Sequence, residues 1–420
     1  MTELAQPTAR PRIASLDIIR GVAVMGIFSV NVVDFALIRQ AYLNPAAAGG
    51  ASGIDLALWF ANYALIDGKM RTLFSILFGA SILLVIDRTR ENGSSPGRTH
   101  FARMAVLLLF GLLHFFLLWE GDILTLYAAV GMIAFFFRKA RVRILLIWAT
   151  ILISLTAVSW SVASVQLVQM QQAVDDGTAS PAEEKYWKEM KREFVADPAR
   201  DARTVAIMRG PWFDRVEHFL TKRAIEPLGT IFQFGVETLG LMLIGMAAFR
   251  SGFLTGAWDD RRYRRIAIWT LGPGLLLSIL LGIIVVASNF LPGLLILGLL
   301  GIGAPLHVAM ALGYAALIIL LARQPGRIAA RLAAVGRMAF TNYLATSIIA
   351  ASLFFGGGIA LFGQLSRFEA WLVVPCIWLL MLTWSRPWLA RFHYGPFEWI
   401  WRSLARGELQ PLRKRLPAMA

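Results

Sequence analysis

Residues 101–143 read FARMAVLLLFGLLHFFLLWEGDILTLYAAVGMIAFFFRKARVR. Two apolar runs, 101–119 and 122–137, are joined by a turn that brings Glu120 and Asp122 together, and the basic run Arg138-Lys139-Ala-Arg141-Val-Arg143 closes the second. Runs of about this length match a lipid core, and neither alternates as a barrel strand would. Hydrocarbon offers backbone amides no partner, so each run is read as a helix and the pair as a membrane hairpin. The pattern extends in both directions along the chain. Apolar windows predict spanning helices at roughly 18–38, 70–86, 101–119, 122–137, 144–165, 228–249, 266–288, 304–322, 338–355 and 369–386. Composition agrees: 57% of the 420 residues are hydrophobic and 16% charged, which excludes an ordinary soluble enzyme. The expected fold class is all-α, a polytopic membrane bundle of about ten helices forming one integral domain over 1–420.

Lys and Arg outnumber Asp and Glu by 41 to 26. In a soluble chain that excess would suggest nucleic acid. Here the basic residues punctuate the apolar runs, so they read as topology signals and contacts to membrane lipids, and no nucleic-acid partner is expected. With the N-terminus cytoplasmic, 27 of the 41 fall in the inner segments. Both termini are therefore placed inside, in a multi-pass bacterial inner-membrane protein. The first apolar run is too long for a secretory signal and reads as an uncleaved anchor. The largest extramembrane piece, 166–227, is expected to be an extracytoplasmic loop with a mixed-charge helix and an interfacial segment carrying Trp212, Phe213 and Phe219. Residues 54–66 are expected to form an outer interfacial or re-entrant helix. The stretch 293–303, ahead of Pro305, implies either a kink or a short half-helix before the eighth span. Cys376 is the lone cysteine, so no internal disulfide or thiol metal site is available.

Charged groups at bilayer depth cost at least about 2.5 kcal/mol, which makes them candidates for function. Asp17 and Arg20 share a face near the inner boundary, as an ion pair or as contacts to a ligand. Asn31 and Asp34 share one near the outer side. Lys69 and Arg71 lie outward, against the positive-inside bias; Arg71 pairs with Asp67, or both bases remain available for an anionic or carbonyl-bearing group. His114 precedes the outer end of its helix, with Glu120 and Asp122 close by in sequence. Imidazole suits proton transfer near neutral pH, and a carboxylate beside it fixes its tautomer; a bridging hydrogen bond between helices is the alternative. No metal-ligand spacing surrounds it, so no metal is expected. Gln233 and Glu237 share one face of the sixth helix, and Glu237 near mid-membrane seeks a partner such as Arg71 or Lys69. Thr341, Asn342 and Tyr343 place three consecutive polar groups inside an apolar run. Gly21 and Gly26 suit close helix packing, and the Gly-rich faces are compatible with a homodimer.

The blocks SLDIIRGVAVMGIFSVN, DGKMRTLFSILFGAS, FGLLHFFLLWEGDILTLYAAVG, GRMAFTNYLATS and GPFEWIWRSL occur in that order across nearly the whole chain. Together they resemble the YeiB-like family of bacterial inner-membrane proteins, for which a transport role has been supposed. The opening block is also similar to heparan-alpha-glucosaminide N-acetyltransferase and its bacterial relatives in the transmembrane acyltransferase group. That resemblance implies an acyl donor, acetyl-CoA or another acyl-CoA, taken from the cytoplasm, and a histidine at the active site. The acetyltransferase carries its histidine after helix one; residues 39–69 here contain none, and His114 takes the role by position. The leading expectation is thus a membrane-embedded acyltransferase acting on a small-molecule, glycan or lipid acceptor. In it His114 is the base, Asp122 or Glu120 orients it, Lys69 or Arg71 stabilises the oxyanion, and Asn31, Glu237, Asn342 and Tyr343 surround the substrate. Asp17, Arg20, Arg337 and Arg402 face the donor. The alternative is a proton-coupled transporter or lipid-moving protein, with the same ionisable groups as coupling sites.

Overall fold

The computed structural model describes residues 13–324 and 326–414. Helix α1 (Ala14–Ala36) is followed by the single turn α2 (Gln40–Leu43), then α3 (Gly53–Leu65) and α4 (Lys69–Glu91). The hairpin read from 101–143 is α5 (Pro96–Leu117) and α6 (Leu124–Ala134), the latter tightening into a 3-10 turn at Phe135–Phe137. Next come α7 (Val142–Asp175), α8 (Pro181–Lys191), α9 (Pro198–Arg209), α10 (Trp212–Lys222), α11 (Glu226–Arg250) and α12 (Asp260–Ala287). The chain ends with α13 (Pro292–Leu299), α14 (Gly303–Ala322), α15 (Arg327–Arg337), α16 (Ala339–Phe354), α17 (Arg367–Trp371), α18 (Val373–Arg391) and α19 (Pro396–Arg406). Among the described residues the sole strand-like pairing is an isolated bridge between Phe392 and Arg413. Eight helical stretches are long and apolar enough to cross a membrane, and two shorter apolar helices, Leu124–Phe137 and Ala339–Phe354, accompany them. Each apolar window of the sequence falls on one of these, so the chain is a polytopic all-α membrane bundle.

Close packing at the centre depends on glycine. A Cβ at Gly79 of α4 would overlap the Met242 carbonyl of α11, and one at Gly245 of α11 would overlap the Ile76 carbonyl of α4. Gly21 of α1 and Gly336 of α15 face each other's backbones in the same way, so Gly21 serves helix packing as expected. The periphery is different. On α7 and α12, Ile147, Ile151, Leu155, Trp269, Leu276 and Leu280 are exposed, a band of apolar side chains suited to lipid.

Two local readings change, and one left open between two alternatives is decided. Helix α7 continues ten residues past 165, to Asp175, before the charged segment begins. The stretch 293–303 forms a separate half-helix, α13, and α14 starts after a break at 300–302, so Pro305 lies in the first turn of α14 where its missing N–H is harmless. Of the three aromatics expected on the bilayer surface, only Phe213 is exposed, at 75%; Phe219 is in the core, and Trp212 donates to the Leu117 carbonyl at 2.8 Å. Arg215 draws α10 inward by lying 4.9 Å over the Phe355 ring and donating to the Gly356 carbonyl.

The polar triplet of α16 is explained by its neighbours. Glu398 of α19 accepts from the Phe340 and Thr341 backbone amides at 2.9 and 3.1 Å and from the Thr341 hydroxyl, while that hydroxyl accepts from Phe397 N. A carboxylate from one helix thus caps the free amides of another, where the helix dipole favours negative charge. Burial pushes the Glu398 carboxyl above its usual range, against the pull of the Thr341 and Phe340 bonds. Glu398→Ala should cost about 1–3 kcal/mol and release α19 to protease, whereas Glu398→Gln, which keeps an acceptor, should lose less. Thermal unfolding in detergent checks this, and equal losses would refute the cap.

Candidate functional site

The turn between α5 and α6 sends three side chains in three directions. Asp122 reaches down: Oδ1 lies 3.0 Å from His114 Nδ1, and Oδ2 accepts from Thr125 N at 2.8 Å, capping the first turn of α6. The His114 and Asp122 side chains are 1% and 2% exposed, and among the described residues His114 Nε2 has no hydrogen-bond partner. A carboxylate on one ring nitrogen holds the proton there and leaves Nε2 as the basic atom. Trp119 reaches sideways. Its Nε1 donates to Asp34 Oδ2 at 2.9 Å, its ring stacks on Phe35 with centroids 4.1 Å apart, and it meets the His114 ring at right angles with centroids 6.1 Å apart. Gly121 makes room for it, because a Cβ there would meet the indole. Glu120 reaches away from His114, to Arg39 at 3.6 Å and to Arg223. Of the two carboxylates expected beside the histidine, Asp122 holds that position and Glu120 does not, because the turn points the two side chains apart.

Beyond Trp119 lies a cavity of about 440 Å³ at the end of the bundle that carries α8–α10. Asp34 and Trp119 form part of its wall, with Arg39, Glu120, Arg223, Glu226 and Gln233 around it. His114 is not among the lining residues, so one indole separates the imidazole from the cavity. On α11, Glu226, Thr230, Gln233 and Glu237 follow each other at spacings of three and four, a polar stripe descending from the cavity into the bundle.

At the foot of that stripe Glu237 pairs with Arg71, whose Nη2 lies 3.1 and 3.0 Å from the two carboxylate oxygens. This is the pairing expected for Glu237; Asp67 is not Arg71's partner and accepts instead from Tyr42 at 3.2 Å. Between the ion pair and the histidine stand Tyr127, bonded to Ser75 Oγ at 2.7 Å, and Tyr343, whose ring is 5.3 Å from that of His114. The cavity beyond Trp119 is lined by none of His114, Lys69 and Arg71. Lys69 is 1% exposed and donates to the Tyr63 carbonyl at 2.5 Å, so neither base is aimed at the imidazole. Their expected convergence is corrected: on α4 each is already committed to a nearer acceptor.

Other candidates are structural in their contacts. Asn342 donates to the Val335 carbonyl and to Ser385 Oγ and accepts from Trp384 Nε1, tying α15, α16 and α18 together. Asn31 is partly buried on α1 and does not line the large cavity. Arg20 pairs with Asp17 at 3.1 Å and donates to Ser81 Oγ at 3.0 Å. Arg402 lies 4.7 Å over the Tyr394 ring, and Arg337 ends α15 with its guanidinium partly buried. Sequence reading passed over Arg39, Arg223 and Glu226, because in 166–227 opposite charges looked merely neutralised; the one available signal was that Glu120 needed a cation outside the hairpin.

The fold and these contacts define a polytopic helical membrane protein with an ionisable interior beneath a charged cavity. The chain belongs to the YeiB-like family. It is 32% identical over 412 residues to the uncharacterized protein YeiB of Escherichia coli (strain K12), covering 94% of this chain and 96% of that one. It is 30% identical over 427 residues, 99% of each chain, to the uncharacterized protein YxaH of Bacillus subtilis (strain 168). The family model described as protein of unknown function (DUF418) matches residues 248–408, the C-terminal stretch that holds the Glu398 cap. No solved structure matches.

Proposed function

We propose that this protein is an acyltransferase of the bacterial inner membrane in which His114 is the general base. The observation that supports the reading is the buried Asp122–His114 pair with Nε2 left free, the arrangement general-base catalysis requires. Nε2 would take the proton of an acceptor hydroxyl or amine as its oxygen or nitrogen bonds to the acyl carbon. The thioester C–S bond breaks, and the proton passes to the departing CoA thiolate. Acyl-CoA would arrive from the inner face. Arg20 is engaged there by Asp17 and Ser81; Arg402 and Arg406, one turn apart on α19, would add basic contacts for its phosphates. Trp119 keeps the dyad from the cavity, so the acceptor displaces the indole to reach Nε2.

The test is transfer of radiolabel from acetyl-CoA by the purified protein in nanodiscs, offered membrane lipids and amino or hydroxyl acceptors. His114→Gln should lower transfer by about 10²–10⁴ while leaving thermal stability close to wild type. Absence of acyl-CoA binding by calorimetry, with no transfer, would overturn the reading. The polar stripe of α11 leading to the Arg71–Glu237 pair favours a second one, a proton-coupled carrier. Uptake by proteoliposomes with the solute unchanged would select it.

A further inference from the structure

The cavity beyond Trp119 carries charge of both signs on its wall. Arg39 sits 3.6 Å from Glu120 and 3.5 Å from Glu226, and its side chain is 56% exposed. Arg223 contacts the same two carboxylates, with Nε 2.6 Å from Glu226. Two carboxylates thus serve two guanidiniums, which together offer ten N–H donors. The pairs of Arg39 are long and open to the cavity, so donors remain for an incoming anion, and a guanidinium fork suits carboxylate or phosphate. Arg200, also on the wall, is occupied by Asp201 and by the Arg192 and Val195 carbonyls.

Asp34 supplies the opposite sign. It ends the polar face of α1 and lines the cavity; among the described residues it has the Trp119 N–H as its hydrogen-bond donor and forms no direct ion pair, while Arg39 and Arg223 stand near enough to act on its charge. A carboxylate left with a single neutral donor is a site for a cation that brings its own hydrogens. An ammonium brings three. The volume, about 440 Å³, lies in the range of small-molecule sites.

We propose that this cavity binds a zwitterion carrying a primary ammonium and a phosphate or carboxylate, the ammonium on Asp34 and the anion on Arg39 and Arg223. An ethanolamine phospholipid headgroup and a free amino acid or phosphoamine share this chemistry. Binding would place the amine against the Trp119 wall behind which His114 lies. As a binding site it stands alone; as the acceptor site it rests on the transferase reading.

The full-length protein in nanodiscs of phosphatidylglycerol is titrated with O-phosphoethanolamine, ethyl phosphate and ethanolamine, following tryptophan fluorescence and heat. The zwitterion should bind at least about tenfold tighter than either singly charged probe, since each charged contact is worth about 1.5–3 kcal/mol. Asp34→Asn, which retains an acceptor for Trp119, should remove that advantage, and Arg39→Gln should weaken the zwitterion and ethyl phosphate alike. Nanodiscs of phosphatidylethanolamine that suppress O-phosphoethanolamine binding identify the lipid headgroup as the occupant; unchanged binding there identifies the soluble zwitterion. Equal binding of all three probes, or binding of none, overturns the proposal even where the variants fail to fold. Zwitterion binding without acyl transfer leaves the site standing and removes the transferase reading alone.

Discussion

Arg71→Ala is expected to cost about 3–5 kcal/mol of stability, enough to abolish a folded peak in detergent for a protein of ordinary stability. The reason is the Glu237 side chain, 4% exposed, whose two oxygens both face Arg71 Nη2. Removing the arginine strands a carboxylate where neither water nor another cation reaches it. Most of the loss therefore belongs to the orphan and not to the bond. The discriminating control is the double replacement Arg71→Met with Glu237→Met. It removes both charges and fills the space, and should recover most of the single variant's deficit. Thermal midpoints of the four forms, followed by fluorescence-detected size exclusion, decide the matter. A double variant as unstable as Arg71→Ala would show that the pair is not what holds α4 to α11 at that depth.

Gly336→Leu is expected to separate α15 from α1 and to destabilise by about 3 kcal/mol or more, at or above the upper end of ordinary over-packing. Gly336 stands where a Cβ would overlap the Asp17 carbonyl, and Gly21 stands opposite with the Leu332 carbonyl in the same place. Backbone cannot yield as a side chain does, so the helices must part. Their parting would also disturb Asp17 and its partner Arg20. Gly272→Leu on α12 is the matched control: nothing lies near its Cβ position, and its effect should stay within about 0.5 kcal/mol. Folded yield and thermal midpoint that match between the two variants would rule out the close approach.

Much of the architecture was legible because lipid leaves so few choices. A run such as 144–165 has to be helical in hydrocarbon, and its start is marked by Arg141 and Arg143. The pairing of Glu237 with Arg71 was also within reach, since a mid-membrane carboxylate needs a cation and few were available. The partner of His114 was narrowed to two acidic residues but not chosen. Glu120 and Asp122 differ only in which way the six-residue connection between α5 and α6 directs them, and that depends on Gly121 yielding its space to Trp119.

Helical membrane architecture, the positions of the spans and the presence of an ionisable interior followed from the sequence by itself, because hydropathy acts locally and each window carries its own signal. The union of Asp34, Arg39, Glu120, Arg223 and Glu226 around one cavity, and the separation of Lys69 and Arg71 from His114, were decided only by tertiary structure. Charge attraction specifies that a partner exists, whereas helix packing, set by where glycine lets backbones meet, selects which of several it is.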